Sequence, residues 1–238
     1  MEPGIAILAL VVGYFLGSIS FTRLVSKLKD PDAELETIEL PVKGTDETFK
    51  ITSMGASTAS MKLGSKVGCA IGLLDILKVT IPTLVFRFLY PGEVYFLITA
   101  TAGMAGHNWP VFNRFKGGRG ISAFYGGFIA IDWIGALLCA GSGMLLGLFV
   151  FKDFVLAYMA GVFLAIPWFW FTTHDPAYLI YAVVTAVLFV LAMIPDLRQY
   201  LKLRKTGKIE MRDAMETSPM GRGMLKMMDR FQVKKKNP

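Results

Sequence analysis

The sequence is poor in cysteine and, over its central part, in charge. Its two cysteines, Cys69 and Cys139, lie in apolar runs, and they form neither a disulfide framework nor a CxxC metal motif. Residues 120–196 hold a single basic residue, Lys152. The N-terminus lacks the basic start and small-residue cleavage site of a secretory signal, so residues 4–24 are predicted to be a retained membrane helix.

What the sequence has instead is apolar surface and a segregated positive charge. Hydrophobic residues make up 54% of the chain and the mean hydropathy is +0.52, which is too apolar for an ordinary soluble domain. Twelve of the 25 Lys and Arg follow residue 196. This distribution predicts a membrane-embedded body, residues 1–196, with a basic water-facing tail, 197–238. The tail is either an amphipathic helix on the membrane surface or disordered.

Apolar runs that could cross a bilayer recur along the chain, since a membrane helix needs about 20 such residues. The run at 121–151 is divided by "IDWIG", and we predict that a helix ends at Asp132 and another begins there. The fold is therefore predicted to be an all-α integral membrane protein of about seven transmembrane helices. Besides the two helices within 121–151, the predicted spans are 4–25, 67–89, 94–106, 154–171 and 177–194.

The connections between these runs alternate in charge. Lys and Arg residues lie at 26–66, 107–119 and 152–153 and beyond residue 196, whereas the connections "PGE", "IDW" and "TTHDP" hold none. Because cytoplasmic loops are rich in Lys and Arg, the N-terminus is predicted outside and the C-terminus in the cytoplasm. Arg87, near an outer helix end, is the exception.

The first basic connection contains a polar segment with a different pattern. "ELETIELPVKGTDETFKI" (34–51) alternates polar and apolar residues around a "KGTD" turn signal, as a β-hairpin would. Pro41 indicates an edge or a break within it. We predict a small hairpin-like insertion over residues 30–52 that packs on the membrane body, because an isolated hairpin is marginally stable.

A basic, glycine-rich strip, "HNWPVFNRFKGGRG" (107–120), lies between two of the apolar runs. Its end places two cations among three glycines: Lys116, Gly117, Gly118, Arg119 and Gly120. Glycines let main-chain N–H groups converge on an anion, so the strip could hold a phosphate. It could equally be a positive-inside loop with flexible glycines, and His107 a capped loop histidine. It lacks the order of a P-loop and follows no strand, so nucleotide binding is not predicted.

Four further polar residues lie within apolar surroundings. Ser18 and Lys27 fall on the cytoplasmic half of the first helix, where they could contact a substrate phosphate; small-residue packing and snorkelling are the alternatives. Asp75 and Lys78 share a helix face at i, i+3. Intramembrane ionisable groups are usually paired, so we predict a structural or functional ion pair.

The strip closely resembles the third signature of the acyl-phosphate:glycerol-3-phosphate acyltransferase family (PlsY), GHxFPVFLxFKGGKGVAT, here "GHNWPVFNRFKGGRG" (106–120). The first signature, GSIPFxxLxxK, is similar to "GSISFTRLVSK" (17–27), with Ser20 in place of proline. "LLDILK" (73–78) resembles the family's LLDxxKG. The resemblance covers roughly residues 4–208, and the predicted topology agrees with that family.

Two other family motifs are poorly retained. Of the second signature, GSGNxGATNVxR, only "GA" remains at 55–56, with Ser57 and Thr58 as polar substitutes. The positions of a C-terminal HxxN pair hold Leu197 and Tyr200. These losses leave open a catalytically silent relative that binds lipid phosphate or membrane partners. A transporter is a third alternative, although no inverted repeat is evident in the hydropathy.

The resemblance implies a membrane enzyme of phospholipid synthesis that passes a fatty acyl group from acyl phosphate to glycerol 3-phosphate, giving lysophosphatidic acid. It would be a multi-pass cell-membrane protein with its active face in the cytoplasm. The chain has no HxxxxD motif, so acyl-CoA and acyl-carrier-protein donors are not predicted, nor is any cofactor, metal or nucleic-acid partner. Ser18 and His107 would be catalytic. The residues expected to bind substrate phosphate are Lys27, Ser57, Thr58, Lys116, Gly117, Gly118, Arg119 and Gly120.

Overall fold

The computed structural model describes residues 1–29, 38–41, 48–51, 53–151 and 154–205, together with 222, 223 and 225. Over these residues the protein is a bundle of helices, which confirms the predicted all-α membrane fold. The helices are α1 (Pro3–Gly17), α2 (Phe21–Lys29), α3 (Ala56–Leu63), α4 (Ser65–Leu89), α5 (Tyr95–Asn108), α6 (Ile121–Ile131), α7 (Trp133–Leu145), α8 (Phe154–Thr172) and α9 (Pro176–Lys205). A π-helical segment, Leu146–Val150, continues α7.

Each predicted apolar run forms helix, and several of these helices can cross a bilayer. The stretches long and apolar enough are Pro3–Lys29, Ser65–Leu89, Trp133–Val150 and Pro176–Gln199. Ile121–Ile131 and Met159–Thr172 are shorter apolar helices. The chain is therefore a multi-pass membrane protein, and the number of seven crossings stays a prediction.

The first span is not the continuous helix predicted for residues 4–25. Helix α1 ends at Gly17, residues 18–20 are not helical, and α2 begins at Phe21. The Lys78 ammonium on α4 donates a hydrogen bond to the carbonyl of Ile19 at 2.7 Å. The local sequence has no proline here, and the contact with Lys78 was not predicted because it joins residues far apart in the chain.

The break predicted at Asp132 is confirmed. Its carboxylate accepts a hydrogen bond from the Gly135 N–H at 2.9 Å, which caps α7, and another from the Trp168 indole at 2.8 Å. Arg87 donates to the carbonyl of Ile131 at 2.8 Å, placing a cation at the C-terminus of α6, where the helix dipole favours it. That contact explains the one basic residue that departs from the charge pattern.

Helix α1 lies against α5 through glycines. A Cβ atom added at Gly17 would collide with the carbonyl of Gly103, and one at Gly106 would collide with the carbonyl of Tyr14. Small residues let helix backbones approach this closely in membranes. The contact brings the end of α1 beside the end of α5, where the basic strip begins.

The centre of the bundle is aromatic. The rings of Phe128 on α6 and Phe169 on α8 lie 4.9 Å apart, and Phe189 on α9 is fully buried. This core fixes α6, α8 and α9 relative to one another and so holds α9 beside the strip.

The predicted insertion contains two short strands. Strand β1 (Ile38–Pro41) pairs antiparallel with β2 (Thr48–Ile51), with Leu40 opposite Phe49. The predicted "KGTD" turn (43–46) lies outside the described residues. Helix α9 contacts β2 through the side-chain amide of Gln199. In the amide orientation that satisfies both groups, its nitrogen donates to the Lys50 carbonyl and its oxygen accepts from the Lys50 N–H, both at 2.9 Å.

Helix α9 continues through the predicted domain boundary at residue 196 as far as Lys205. The first part of the predicted tail is thus helical and is continuous with the membrane body. Residues 206–221 and 226–238, on which the alternatives for the tail depend, lie outside the described residues.

Candidate active site

The basic strip folds back on the end of α5. After a short 3₁₀ turn, Arg114 and Phe115 have positive φ angles of 52° and 60°, which reverse the chain direction. The Gly118 N–H then donates to the carbonyl of His107 at 3.1 Å. A backbone bond from Met54 to the carbonyl of Gly117, also at 3.1 Å, joins the strip to the segment before α3. These bonds give the strip a defined geometry, unlike a flexible loop.

The glycines of the strip are required by close packing. A Cβ at Gly118 would overlap with the imidazole Nε2 of His107, and one at Gly117 would collide with the His107 carbonyl. Gly120 has a φ of 86°, a conformation that side chains disfavour. Because the Gly118 N–H already donates to His107, it is not available to an anion. The interpretation of converging main-chain donors is therefore wrong for that N–H.

A buried polar cluster lies under these glycines. Lys78 Nζ is 2.8 Å from Asp75 Oδ1, and His107 Nδ1 is 3.7 Å from the same oxygen. All three side chains are at most 7% exposed, so the two charges have each other as partners where water is scarce. Ser18, also fully buried, donates from its hydroxyl to the carbonyl of Tyr14 at 2.8 Å.

These side chains surround a small polar pocket beneath the strip. Its volume is about 10 Å³, room for a single water molecule. The pocket is lined by Ser18, Asp75, Lys78 and His107, together with Gly117 and Gly118 of the strip. Ser18 and His107, the two residues predicted to be catalytic, thus share one pocket, although Ser18 follows the end of α1 and His107 lies on α5.

A much larger cavity lies on the other side of the glycines, between the strip and α9. Its volume is about 380 Å³, within the usual range of small-molecule sites. Its walls combine cationic and apolar side chains: Met54, Asn108, Trp109, Phe115, Lys116, Gly117, Gly118, Arg119, Leu191, Ala192 and Pro195. Asn108 is 3% exposed, and no described residue donates a hydrogen bond to its Oδ1. A cavity with this lining suits a molecule with an anionic head and an apolar body.

Arg119 is directed towards α9. Its Nε and Nη2 donate to the two carboxylate oxygens of Asp196, each at 2.6 Å, and its Nη1 donates to the carbonyl of Ala192 at 2.9 Å. This bidentate geometry is the strong form of an Arg–carboxylate contact. Asp196 thus occupies the fork of the guanidinium while Arg119 also lines the larger cavity, and the binding of a phosphate by Arg119 stays a prediction.

The remaining predicted residues lie outside both cavities. Lys27 is exposed at the end of α2, and Ser57 is exposed on α3. Thr58 is buried and donates from its hydroxyl to the carbonyl of Ser53 at 2.6 Å, so it stabilises the start of α3.

Several cavity residues escaped the sequence analysis. Asn108 and Trp109 adjoin His107 and could have been inferred from their place in the strip. Leu191 carries no local signal, because only the packing of α9 brings it to the strip, and the same is true of Asp196, which contacts Arg119. Met54 lines both cavities and likewise gave no signal.

These features define a class: an integral membrane protein with a buried polar cluster and a cationic, partly apolar cavity at one end of its helix bundle. Comparisons with known proteins agree with that class. Residues 7–203 match the family model described as glycerol-3-phosphate acyltransferase. The chain belongs to the glycerol-3-phosphate acyltransferase family.

Relatives and solved structures agree with the family match. Glycerol-3-phosphate acyltransferase 1 of Oceanobacillus iheyensis is 31% identical over 63% of this chain and 69% of its own. Glycerol-3-phosphate acyltransferase 3 of Dehalococcoides mccartyi is 28% identical over 82% and 92%. The crystal structure of PlsY, an integral membrane glycerol 3-phosphate acyltransferase, in its glycerol 3-phosphate form has a TM-score of 0.69 and 26% identity, covering 87% of this chain and 94% of that one.

The family match confirms the sequence-based identification and, with it, the class of membrane acyltransferase in phospholipid synthesis. The match extends through the regions in which the second signature and the HxxN pair are poorly retained. It does not favour the alternative of a catalytically silent relative.

Proposed function

We propose that the chain transfers a fatty acyl group from an acyl phosphate to the sn-1 hydroxyl of glycerol 3-phosphate, giving lysophosphatidic acid and phosphate. The observation that supports an acyl phosphate as the donor is the cavity of about 380 Å³, whose lining includes the cations Lys116 and Arg119 and the apolar side chains of Trp109 and Leu191. An acyl phosphate has that same division between an anionic head and an apolar chain. The related PlsY structures are described as glycerol 3-phosphate and lysophosphatidic acid forms, which supports the acceptor and the product.

The chemistry required of the protein is modest, because an acyl phosphate is already activated. The acceptor oxygen bonds to the acyl carbon, the bond from that carbon to the phosphate oxygen breaks, and phosphate leaves with the bonding electrons. The acceptor hydroxyl loses a proton, which we assign to His107 as general base. Positioning and charge neutralisation supply the rest.

Lys116 and Arg119 are the groups proposed to neutralise the donor phosphate. Lys116 is exposed at the cavity wall, and Arg119 reaches the same cavity while held by Asp196. Because Gly117, Gly118 and Gly120 have no side chains, the backbone of the strip can lie close to the phosphate. The Gly118 N–H is not one of the proposed phosphate donors, since it already donates to the carbonyl of His107. Ser18 and His107 line the small polar pocket on the other side of Gly117 and Gly118.

The acceptor is assigned to the side of the strip nearest α2 and α3. Lys27, Ser57 and Thr58 lie on these two helices, and we propose that they contribute to the approach of glycerol 3-phosphate. The supporting observation is that the segment before α3 is bonded to the strip through Met54 and Gly117.

We also propose the cellular arrangement. The alternation of basic and uncharged connections places the strip, the cavity and the C-terminal end of α9 on the cytoplasmic face of the cell membrane. Residues 1–196 form the catalytic membrane domain with an insertion at 30–52, and residues 197–238 form a basic tail that begins as an extension of α9.

Turnover by the purified protein tests the proposal. With an acyl phosphate and labelled glycerol 3-phosphate, the chain should form labelled lysophosphatidic acid, and other polyol phosphates should serve less well. Lys116→Met removes a charge-assisted contact and should weaken donor binding about tenfold or more. Lys66→Met is the matched control, because Lys66 is exposed on α4 and lines neither cavity. Binding of a non-hydrolysable acyl phosphonate without any product would instead support the catalytically silent alternative.

A further inference from the structure

The first span breaks at residues 18–20, where the sequence has no proline. The residues there are Gly17-Ser18-Ile19-Ser20-Phe21. Sharp breaks in helices are usually attributable to proline, to a Gly/Ser pair such as Gly17-Ser18, or to an inserted group, and a Gly/Ser pair does not remove a backbone donor as proline does. Ser20 offers only a weak cap for α2, since its hydroxyl accepts from the Arg23 N–H at 3.4 Å. The Gly/Ser pair and the Ser20 cap favour a break without enforcing one, so a group from another helix can decide whether the helix continues.

The side chain of Lys78, on α4, contacts the break. Its ammonium donates to the carbonyl of Ile19 at 2.7 Å and lies 6.0 Å from the ring centroid of Phe21, the first residue of α2. A cation at the last carbonyls of a helix stabilises its C-terminus, and a cation over a ring adds a second favourable contact. Lys78 thus contacts the break itself at Ile19 and lies near the first residue of α2.

Asp75 neutralises the buried charge of Lys78. It lies 2.8 Å from the Lys78 ammonium and is 2% exposed, so the pair neutralises itself away from water. The same oxygen faces His107 Nδ1 at 3.7 Å. Asp75 therefore connects the group that stops α1 to the proposed general base.

We propose that the pair of Asp75 and Lys78 is a positioning device that holds the first span open at residues 18–20, where Ser20 stands in place of the proline of the family signature. The break fixes Ser18 on the floor of the pocket, and Asp75 orients His107 beside it. This inference rests on the proposed function only for its activity readout. If the two charges merely neutralised each other, replacing both by neutral residues would leave the break and the site unchanged.

A compensating proline distinguishes these cases. The background is the double variant Asp75→Asn/Lys78→Met, in which no charge is left unpaired. Adding Ser20→Pro supplies a stronger local cause for the break, because proline disfavours helix at the residue before it and lacks an N–H. Ser20→Ala is the matched control, since it removes the same hydroxyl without restricting the backbone. Each variant is examined for kcat, KM and the midpoint of thermal unfolding in detergent.

The expected result is a fall in kcat of about tenfold or more in the double variant, with a smaller change in KM. Ser20→Pro in that background should recover several-fold of the lost kcat and raise the unfolding midpoint, while Ser20→Ala should recover neither. Recovery remains partial, because His107 still lacks the Asp75 carboxylate.

Two results would overturn the inference: a double variant with unchanged kcat, or equal behaviour of the proline and alanine variants. If the double variant does not fold, recovery of folded protein by proline but not by alanine is the same readout. If the unmodified chain forms no lysophosphatidic acid, the proposed function fails, and the unfolding midpoints still decide whether the pair maintains the break.

Discussion

The contact between Gly118 and His107 permits a prediction whose size follows from the structure. In Gly118→Ala the new methyl group would overlap with Nε2 of the imidazole and lie 2.9 Å from both Cδ2 and Cε1. The imidazole is 7% exposed and faces Asp75 on its other side, so it cannot move aside freely. Overpacking of this kind lowers the free energy of unfolding by about 1–3 kcal/mol. For a chain of this length, each kcal/mol lowers the unfolding midpoint by roughly 2–4 °C. Displacing a catalytic group by about 1 Å can lower kcat about 100-fold.

A double-mutant cycle isolates the cause. Gly118→Ala is made in the unmodified chain and in a His107→Ala background, and thermal unfolding is followed in detergent. If the imidazole is what the methyl group meets, the cost should nearly vanish in the second background. Gly141→Ala is the control, because a Cβ there meets nothing within 4 Å, and a glycine-to-alanine change in a helix should be neutral or slightly stabilising. An equal cost of Gly118→Ala in both backgrounds would refute the reasoning and return the glycine to a purely backbone role.

Three further predictions concern other contacts. Asp196→Asn should weaken the bidentate contact to Arg119 and lower the unfolding midpoint, with donor KM changed more than kcat; unchanged values of both would show that the contact contributes nothing to the cavity. Trp168→Phe removes the indole donor to the carboxylate that caps α7 and should cost about 1–3 kcal/mol in the free energy of unfolding, whereas Trp170→Phe, at an exposed position, should change it by less than about 0.5 kcal/mol. A reporter inserted at Thr173 should be external and one fused after the last residue cytoplasmic; the reverse orientation would place the cavity on the wrong side for a cytoplasmic substrate.

The helices were predictable because their signal is local. A continuous apolar run needs no knowledge of its neighbours to form a membrane helix, and Asp132 marks its break by its own chemistry as a helix cap. The family was also predictable, since the strip from His107 to Gly120 retains a long motif in one uninterrupted stretch.

The parts that were missed depend on residues distant in sequence. The break in the first span is stabilised by Lys78, 59 residues beyond Ile19, and Arg119 meets Asp196 across 77 positions. The structural role of Gly118 was also not predicted, because it depends on packing against His107. Its spacing suggests main-chain donors for an anion, whereas folding places its N–H and its missing side chain against His107.

The glycine contact between α1 and α5 also bears on how the chain is made. Helix α1 is complete at Gly17, yet α5 ends at Asn108, about 90 residues later. At synthesis rates of 5–20 residues per second, that separation lasts roughly 5–20 seconds. For this interval α1 has been synthesised without the helix against which Gly17 packs in the finished fold.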